Sequence, residues 1–218
     1  MPSVRFILPD ESVVHVPAWV TDHASFLRWA ASDEAPERGK IGYLHGTVWL
    51  DNTMEQIFHN LIKQAVSQDI LNWNRQHKLG NYYSDGMSYS NSALEFTTVP
   101  DGIFVSHDSL KHGLVSRDKG IRSTSLEGSP DMVLEVINRS SVSKDLNDLR
   151  DLYFEAGVKE YWLIDSRVDQ PELLILKRSD SGFVDEVNVD GWSSSQVLQA
   201  LCRLVVNIER EEIVLEMK

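Results

Sequence analysis

The sequence has little cysteine, no long apolar run and no excess of basic residues, and each absence narrows what the protein can be. Its single cysteine, Cys202, cannot form an internal disulfide, so nothing indicates an oxidising compartment. No apolar run approaches the roughly 20 residues that a membrane-spanning helix needs. The N-terminus lacks the basic segment and apolar core of a secretory signal. We therefore expect a cytoplasmic protein with no membrane partner.

The charge balance is acidic, with 33 Asp and Glu against 21 Lys and Arg and a formal net charge of −12. Such an excess disfavours non-specific binding of nucleic acid over the whole surface. It is compatible with a local basic patch, and equally with carboxylates that hold a divalent cation. The 218 residues and the ordinary globular composition predict a single α/β domain over 1–218.

Hydrophobic periodicity predicts alternating strands and helices. Residues 1–20 are expected to form two short strands, as a β extension, and 22–31 a short helix capped by Asp22 or Thr21. Further strands are expected over 41–50, 82–106, 132–137, 161–165, 173–177 and 184–189. Helices are expected over 53–73, with Thr53 as N-cap, and over 143–156, ending at Gly157. Residues 106–129 are typical of a polar loop, and 197–206 are ambiguous.

Two acidic residues stand out because they lie at or inside apolar strands. Asp101 follows Pro100 and opens an apolar run. Glu135 lies within 132–137, the pattern of a buried central strand, on the same face as Val133 and Ile137. A buried ionised carboxylate is costly unless it is paired, hydrogen-bonded or bound to metal. Glu135 is therefore either a structural ion-pair partner or a functional group.

Three sequence blocks carry a resemblance. They are Gly-Ser-Pro-Asp-Met-Val-Leu-Glu-Val-Ile-Asn-Arg-Ser-Ser at 128–141, Lys-Asp-Leu at 144–146, and Leu-Tyr-Phe-Glu-Ala-Gly-Val-Lys-Glu-Tyr-Trp-Leu-Ile-Asp at 152–165. Together they resemble the Uma-two-type family of restriction-endonuclease-like proteins, in the PD-(D/E)XK nuclease superfamily. The resemblance extends upstream to Val-Pro-Asp-Gly-Ile-Phe-Val at 99–105 and to the helix bearing His59.

The resemblance implies a restriction-endonuclease-like core, a central mixed β-sheet flanked by helices. It places Asp101 and Glu135 at the two acidic positions of the motif, where they would hold Mg²⁺ or Mn²⁺, with the carbonyl of Val136 as a further oxygen ligand. His59 matches an auxiliary polar position and could orient water or phosphate, although a satisfied, partly buried histidine is the commoner outcome. Asp131, in a second Pro-Asp pair, is a weaker candidate at the start of the strand.

The motif lysine is missing from both places where the resemblance expects it. Ile137 stands two residues after the second acid, and Leu149 stands four residues before Tyr153. The nearest basic residues are Arg150 and Lys144, which could assist the reaction as electrophiles. Arg150 stays protonated and is a poor general base, and it could equally pair with a surface acid.

The remaining polar and aromatic positions have plainer interpretations. Asp145 matches a family position but is also expected as a first-turn acid that favours the helix dipole. Tyr153, Tyr161 and Trp162 are typical of core packing. For phosphate contacts, the loop 106–125 carries a small basic excess and is either a DNA-binding surface or merely solvated. Its basic residues are Lys111, Arg117, Lys119 and Arg122.

Two function classes, and one assembly hypothesis, follow from these patterns. The first class is a divalent-metal-dependent DNA endonuclease that uses Asp101 and Glu135 as metal ligands and Arg150 or Lys144 as an electrophile. The second is a catalytically degenerate nuclease fold that serves as a binding or regulatory protein. The assembly hypothesis is a homodimer formed through exposed strands or the C-terminal apolar segment. Metal-dependent cleavage of DNA separates the first class from the second.

Overall fold

The structure is a computed structural model that describes residues 4–7, 13–36, 39–51, 55–139, 141–185 and 189–218. Its strands are β1 (Val4–Ile7), β2 (Val13–Val16), β3 (Lys40–Leu44), β4 (Thr47–Asp51), β5 (Gly80–Ser84), β6 (Ser88–Asn91), β7 (Phe96–Thr98), β8 (Gly102–Ser106), β9 (Val115–Ser116), β10 (Ser125–Gly128), β11 (Met132–Ile137), β12 (Glu160–Asp165), β13 (Leu173–Arg178), β14 (Phe183–Asp185), β15 (Ser193–Ser195), β16 (Ala200–Asn207) and β17 (Glu212–Met217). Its α-helices are α1 (His23–Ala30), α2 (Ile57–His77), α3 (His107–Lys111) and α4 (Leu149–Glu155).

Two mixed sheets of six strands dominate the fold. The central sheet has the order β14-β13-β12-β11-β8-β5, and the outer sheet has the order β4-β3-β7-β6-β10-β9. In the central sheet β11 and β12 run parallel, while β8 and β13 flank them in the antiparallel direction. A three-stranded meander, β15-β16-β17, and the hairpin β1-β2 complete the strands. The mixed α+β architecture and the strand–helix–strand unit from β11 to β12 are as predicted.

Strand β11 connects the two halves of the core. All six of its residues are buried, as the apolar pattern predicts. Val133 and Ile137 pack into a cluster with the outer sheet and α4, whereas Leu134 and Val136 pack into a cluster with α2 and the meander. Because successive side chains of a strand point to opposite faces, Glu135 belongs with Val133 and Ile137 on the first face.

Helix α2 begins four residues later than predicted. Its N-cap residue is Gln56, and the predicted cap, Thr53, precedes the helix and lies outside the described residues. Ile57, expected in the apolar stripe, is 79% exposed. The inward-facing residues recur at steps of three and four along the helix. They are His59, Ile62, Lys63, Val66 and Ile70.

The segment 106–129 is more regular than the loop predicted for it, since it contains α3, β9 and β10. The carboxylate of Asp131 holds α3 in place: its oxygens accept hydrogen bonds from the Ser106 N–H at 2.7 Å and from the Ser109 hydroxyl at 2.9 Å. No local pattern could reveal this because Asp131 is more than 20 residues away in the chain.

The helix predicted over 143–156 is present, but its first turn and its exposed side differ from the prediction. It starts with a π-helical turn over Lys144–Asp148, continues as α4, and ends before Gly157, whose φ of 88° suits the predicted stop. Leu146, expected on the apolar side, is 38% exposed because the wider π turn rotates it away from the core. Downstream, the ambiguous stretch 197–206 contains most of β16. The predicted outer hairpin is formed by β13 and β14. Residues 186–188, where its second strand was expected to continue, lie outside the described residues.

The N-terminal elements follow the sequence prediction. Asp22 caps α1 with a reciprocal capping box, in which its carboxylate accepts from the Ser25 N–H at 2.7 Å. Phe26 and Trp29 of this helix are fully buried against β2 and β3. Among the described residues, no helix is both long enough and apolar enough to cross a membrane.

Candidate active site

Asp101 and Glu135 are brought together by the register of two strands. The antiparallel ladder of β8 and β11 pairs Ile103 with Val133 and ends with Gly102 paired with Leu134, so Asp101 and Glu135 each lie one residue beyond its last pair. The carboxylate of Asp101 is anchored by the backbone N–H of Val136, which donates to Oδ2 at 2.8 Å.

Glu135 lies in an apolar environment and holds its proton more tightly than an ordinary glutamate. Its side chain is 2% exposed, and Oε1 accepts a hydrogen bond of 2.9 Å from the hydroxyl of Tyr153. Burial raises the pKa of Glu135 to about 8; nearby Lys144 opposes this rise, while the carboxylates of Asp145 and Asp101 add to it. Burial also raises the pKa of Tyr153 well above its ordinary value, so the phenol remains a donor.

Lys144, which is partly exposed, and the buried Asp145 form an ion pair beside Glu135. Nζ of Lys144 lies 3.2 Å from Oδ1 of Asp145, which is 1% exposed and so is no surface residue of a helix end. The pKa of Lys144 is raised: burial disfavours the ammonium group, but Glu135 and Asp145 outweigh that effect. The hydroxyl of Tyr161 donates to the Asp145 carbonyl at 2.9 Å, which fixes the turn that carries the pair.

Two lysines lie beside Asp101, and we call them the lysine pair. They are Lys40 and Lys63. Nζ of Lys40 lies 2.8 Å from Oδ1 of Asp101 and 2.8 Å from Oδ1 of Asp85. Nζ of Lys63 lies 2.6 Å from Oε2 of Glu55, 2.7 Å from Oδ2 of Asp85 and 3.7 Å from Oδ1 of Asp101. Burial disfavours both ammonium groups, but the carboxylates outweigh it and raise the pKa of both lysines. Both are therefore cations at neutral pH.

His59 also reaches this cluster. It is buried on α2, and its Nε2 atom lies 3.6 Å from Oε1 of Glu55. One atom from each of Glu55, His59 and Asp101 can be chosen so that all three lie within 4.8 Å of one another. Burial lowers the pKa of His59, and the nearby carboxylates only partly oppose this, so the neutral imidazole is favoured.

The other predicted cation, Arg150, contacts a different part of the protein. Its Nη2 atom donates to the carbonyl oxygen of Phe183 in β14 at 3.0 Å. The two positions where the resemblance expects a lysine are apolar core, since Ile137 is 3% exposed and Leu149 is fully buried. The positive charges beside Asp101 and Glu135 therefore come from Lys144 and the lysine pair.

Of the predicted DNA-contacting residues, Lys111 lies at the other end of β8 from Asp101, whereas Arg117 contacts Tyr83 of β5, which pairs with Ile103 near the Asp101 end. Asp101 precedes the first residue of β8 and α3 follows the last, a separation of about 17 Å along the five-residue strand. Lys111 ends α3, and Asp131, paired with Lys159, marks this end of the ladder. Further along the same segment, Arg117 donates to the Tyr83 hydroxyl at 3.2 Å. Nζ of Lys119 lies 3.8 Å from Oδ2 of Asp118, and Arg122 is exposed in a 3-10 turn.

Sequence reasoning missed most of the polar network around Asp101. Lys63 could have been recognised, because it follows His59 by one helical turn and interrupts the otherwise apolar inward stripe of α2. Lys40, Glu55 and Asp85 carry no such signal, since each stands at the end of an element or in a connection, where charged residues are ordinary. Their meeting depends on tertiary structure alone.

The fold resembles that of a solved protein, a putative nuclease belonging to DUF820 from Anabaena variabilis ATCC 29413. The two structures superpose with a TM-score of 0.62 over 82% of this chain and 90% of that chain, at 13% sequence identity. This similarity supports the fold. No curated protein sequence matches the chain significantly.

A family model matches the sequence over residues 23–207, which include every element that contributes to the candidate site. That model is the Uma2 family, described as "Putative restriction endonuclease". Because the match covers most of the 218 residues, the chain belongs to the Uma2 family of restriction-endonuclease-like proteins.

Proposed function

We propose that the protein is a divalent-metal-dependent DNA endonuclease that hydrolyses phosphodiester bonds at Asp101 and Glu135. The observation that carries this proposal is the position of the two buried acids, each one residue beyond the last pair of the β8–β11 ladder. Membership of a restriction-endonuclease family supports the reaction class.

The donor atoms suit a hard divalent cation. Carboxylate oxygens are the ligands that Mg²⁺ and Mn²⁺ prefer, and Asp101 and Glu135 supply them, with the carbonyl of Val136 as a proposed third ligand. The raised pKa of Glu135 indicates a buried carboxyl whose surroundings do not fully compensate a negative charge. When bound, the ion would lower the pKa of a bound water and offset negative charge on the phosphate.

The lysines take over the task of the missing motif lysine. Lys144 lies on the Glu135 side of the site and Lys40 on the Asp101 side, and both are protonated cations. Ammonium groups fixed beside a reacting phosphate stabilise the charge that develops in the transition state. We assign this electrostatic role to Lys144 and Lys40 in preference to Arg150, whose guanidinium is engaged by the Phe183 carbonyl.

A polar groove along α2 is the proposed path of the nucleic-acid strand. The groove has a volume of about 490 Å³ and includes Lys63 and Asp85 at the site end and Arg75 at the far end. Four exposed amides line it at every fourth position, over about 18 Å of helix. They are Asn60, Gln64, Gln68 and Asn72. The groove, which we call the amide groove, offers donors for phosphate oxygens, and its one carboxylate is already paired with both Lys40 and Lys63.

The direct test is cleavage of plasmid DNA by the purified protein with Mg²⁺ or Mn²⁺. We expect Asp101→Asn and Glu135→Gln to lower the cleavage rate at least about a hundredfold, which corresponds to roughly 2.7 kcal/mol of barrier. Asp131→Asn is the matched control, because Asp131 is also a buried acid after proline and pairs with a lysine. Its cleavage rate per folded molecule is expected to match the wild type.

The alternative function, a nuclease fold that binds without cleaving, predicts a different result. DNA binding without metal-dependent turnover by the wild-type protein would favour it, and equal cleavage by wild type and Asp101→Asn would exclude our assignment of the site. The predicted homodimer is a separate question, to be answered by sedimentation. Leu201, Val205 and Val214 are exposed on the C-terminal meander, where such an interface was expected.

A further inference from the structure

The loop between β9 and β10 presents an aliphatic side chain to solvent. Ile121, in the 3-10 turn Gly120–Arg122, is 94% exposed, more than any other large hydrophobic residue in the described part of the chain. Three cations surround it in the sequence, and we call the run 117–122 the basic tip. They are Arg117, Lys119 and Arg122. An isoleucine left in water gains nothing from burial, so it is available to insert into a binding partner.

The basic tip is held in a defined shape by its own hydrogen bonds. The N–H of Gly120 donates to the carbonyl of Arg117 at 3.4 Å, and the N–H of Ser123 donates to the carbonyl of Gly120 at 3.3 Å. The Ser123 hydroxyl donates to the carboxylate of Asp118 and accepts from the N–H of Lys119 at 3.1 Å. Because Asp118 is the one acid of the basic tip, its charge is engaged within the loop, and the arginines face the solvent without an acid beside them.

A hydrogen bond anchors the basic tip on the face of the central sheet that carries Glu135. A guanidinium nitrogen of Arg117 donates to the Tyr83 hydroxyl at 3.2 Å. The Tyr83 ring packs against the cluster of Val133 and Ile137, on the face of β11 to which Glu135 belongs. The basic tip therefore lies on the same side of the sheet as the candidate site.

The other end of the basic tip leads back to the site through the outer sheet. The carbonyl of Thr124 accepts from the N–H of Ser88 at 3.3 Å. Ser88 lies three residues beyond Asp85, which lines a cavity of about 420 Å³ together with Lys40. Three residues of chain span at most about 10 Å, and paired strands lie about 5 Å apart, so Ile121 is within about 25 Å of Asp85. Since a duplex rises about 3.4 Å per base pair, DNA held at the site extends to Ile121 within about seven base pairs.

We propose that Ile121 is an apolar wedge that inserts between two base pairs of duplex DNA bound at the candidate site. Proteins that kink DNA from the minor groove insert aliphatic side chains in this way and contact the adjacent phosphates with arginine or lysine. Arg117 and Arg122 supply those contacts, in a chain whose net charge is −12. The inference rests on the proposed function for the presence of DNA at the site.

The wedge changes the shape of the DNA more than the affinity for it. Unstacking a base step opposes the gain from burying the isoleucine, so the two contributions to binding largely cancel. The amide groove therefore remains the source of affinity. A kink near the site instead brings the phosphodiester into a fixed position relative to Asp101 and Glu135, which favours the reaction.

The experiment measures base stacking in duplex DNA bound by the full chain without metal. The fluorescent base aminopurine is placed at successive positions of an oligonucleotide duplex, and its emission rises when the base loses its stacking. We expect the wild type to raise the emission at one base step, Ile121→Ala to abolish the rise, and Ile121→Leu to retain it. Affinity, measured by anisotropy, is expected to stay within about threefold of the wild type in both variants.

Leu114→Ala is the matched control, because Leu114 is another exposed aliphatic residue of the same segment and lies outside the basic tip. It is expected to keep the rise. Loss of the rise in Ile121→Ala at unchanged affinity is not the result of a folding defect, since a misfolded variant would also lose binding. An unchanged rise in Ile121→Ala, or no rise in a duplex that the wild type binds, would overturn the wedge.

The stacking measurement and plasmid cleavage separate this inference from the proposed function. Metal-dependent cleavage without any rise in emission would leave the nuclease in place and reject the wedge. A rise that depends on Ile121, without cleavage, would leave the wedge in place and reject the nuclease. A wild type that binds no duplex would reject both.

Discussion

The hydroxyl of Tyr153 donates a hydrogen bond of 2.9 Å to Oε1 of Glu135, which joins helix α4 to the acid at the centre of β11. The aromatic ring packs on Tyr89 and Tyr161, as a core residue does, while the hydroxyl serves the candidate site. One side chain thus contributes to stability and to the chemistry of Glu135.

The two roles of Tyr153 can be separated by Tyr153→Phe. This variant keeps the ring but leaves Oε1 of Glu135 without a buried donor, so the free energy of unfolding is expected to fall by about 1–3 kcal/mol. The loss should be larger at pH 9 than at pH 6, because an ionised carboxylate gains more from the hydrogen bond. Urea unfolding at both pH values measures it.

Tyr89→Phe is the matched control for this change. Tyr89 is equally buried and stacks on Tyr153, but its hydroxyl has no hydrogen-bond partner among the described residues. Removing that hydroxyl is expected to leave stability unchanged or slightly higher. An equal loss in both variants would mean that the hydrogen bond to Glu135 contributes nothing specific.

Glu135 makes the metal-free protein less stable as the pH rises. Its pKa increases from 4.5 to about 8 on folding, so between these values the folded state binds more protons than the unfolded state and stability falls with pH. The full shift corresponds to about 4–5 kcal/mol. Glu135→Gln should lack this slope and should be more stable than the wild type above pH 8, as measured by unfolding in the presence of a chelator.

Asp131 gives the opposite slope and serves as the internal comparison. Burial would raise its pKa, but the hydrogen bonds from Lys159 and Ser106 outweigh it, and the pKa is lowered. Its stabilising contribution is present above the ordinary aspartate pKa and is lost as the pH falls through the lowered value. Asp131→Asn should therefore flatten the acid side of the stability profile, and from pH 5 to 8 it should lower stability by a constant amount without changing the slope.

The amide groove and the basic loop make opposing predictions about DNA binding. The double variant Gln64→Glu with Gln68→Glu is expected to weaken DNA binding at least about tenfold, since two carboxylates would then repel the phosphates. Lys111→Gln with Lys119→Gln changes the net charge by the same amount on the basic loop. Binding measured at fixed salt by fluorescence anisotropy should be little affected by the second pair. The reverse ranking would place the DNA on the loop.

Asp85→Asn tests whether Asp85 holds the lysine pair away from the metal ligands. Among the described residues, Lys40 and Lys63 would then keep Asp101 and Glu55 as partners, and they would compete with the cation for Asp101. We expect Mn²⁺ binding to weaken about tenfold, or roughly 1.4 kcal/mol. Calorimetry measures the affinity, and unchanged binding would show that the ammonium groups do not compete. Asp108→Asn, at an exposed acid of α3, serves as the control for loss of one negative charge.

Strand β11 and the burial of Glu135 were predictable because their signals are local. The continuous apolar run from Met132 to Ile137 specifies a buried strand by itself, and the single acid within it identifies Glu135. The cap of α1 at Asp22 was predictable for the same reason. These features depend on residues a few positions apart.

The network around Asp101 could not be predicted because it is assembled over long chain distances. Lys40 and Asp101 are 61 residues apart and meet only because β3 and β8 belong to neighbouring sheets. The order of α3 depends likewise on the distant carboxylate of Asp131. The π turn before α4 has no simple sequence signal, and it changes which residue of that segment faces solvent.

Two of the three Pro-Asp pairs of the chain, at 100–101 and 130–131, lie at opposite ends of one ladder. Asp101 belongs to the proposed chemistry, while Asp131 holds α3 and Lys159. The same dipeptide therefore supplies a proposed metal ligand in one place and a structural hydrogen-bond acceptor in the other. Neither composition nor local context distinguishes the two. A mutational survey of related sequences that treats all Pro-Asp pairs as equivalent would not distinguish variants that lose activity from variants that fail to fold. What separates them is tertiary position: Asp101 lies at the Glu135 end of the ladder, and Asp131 lies at the end next to α3.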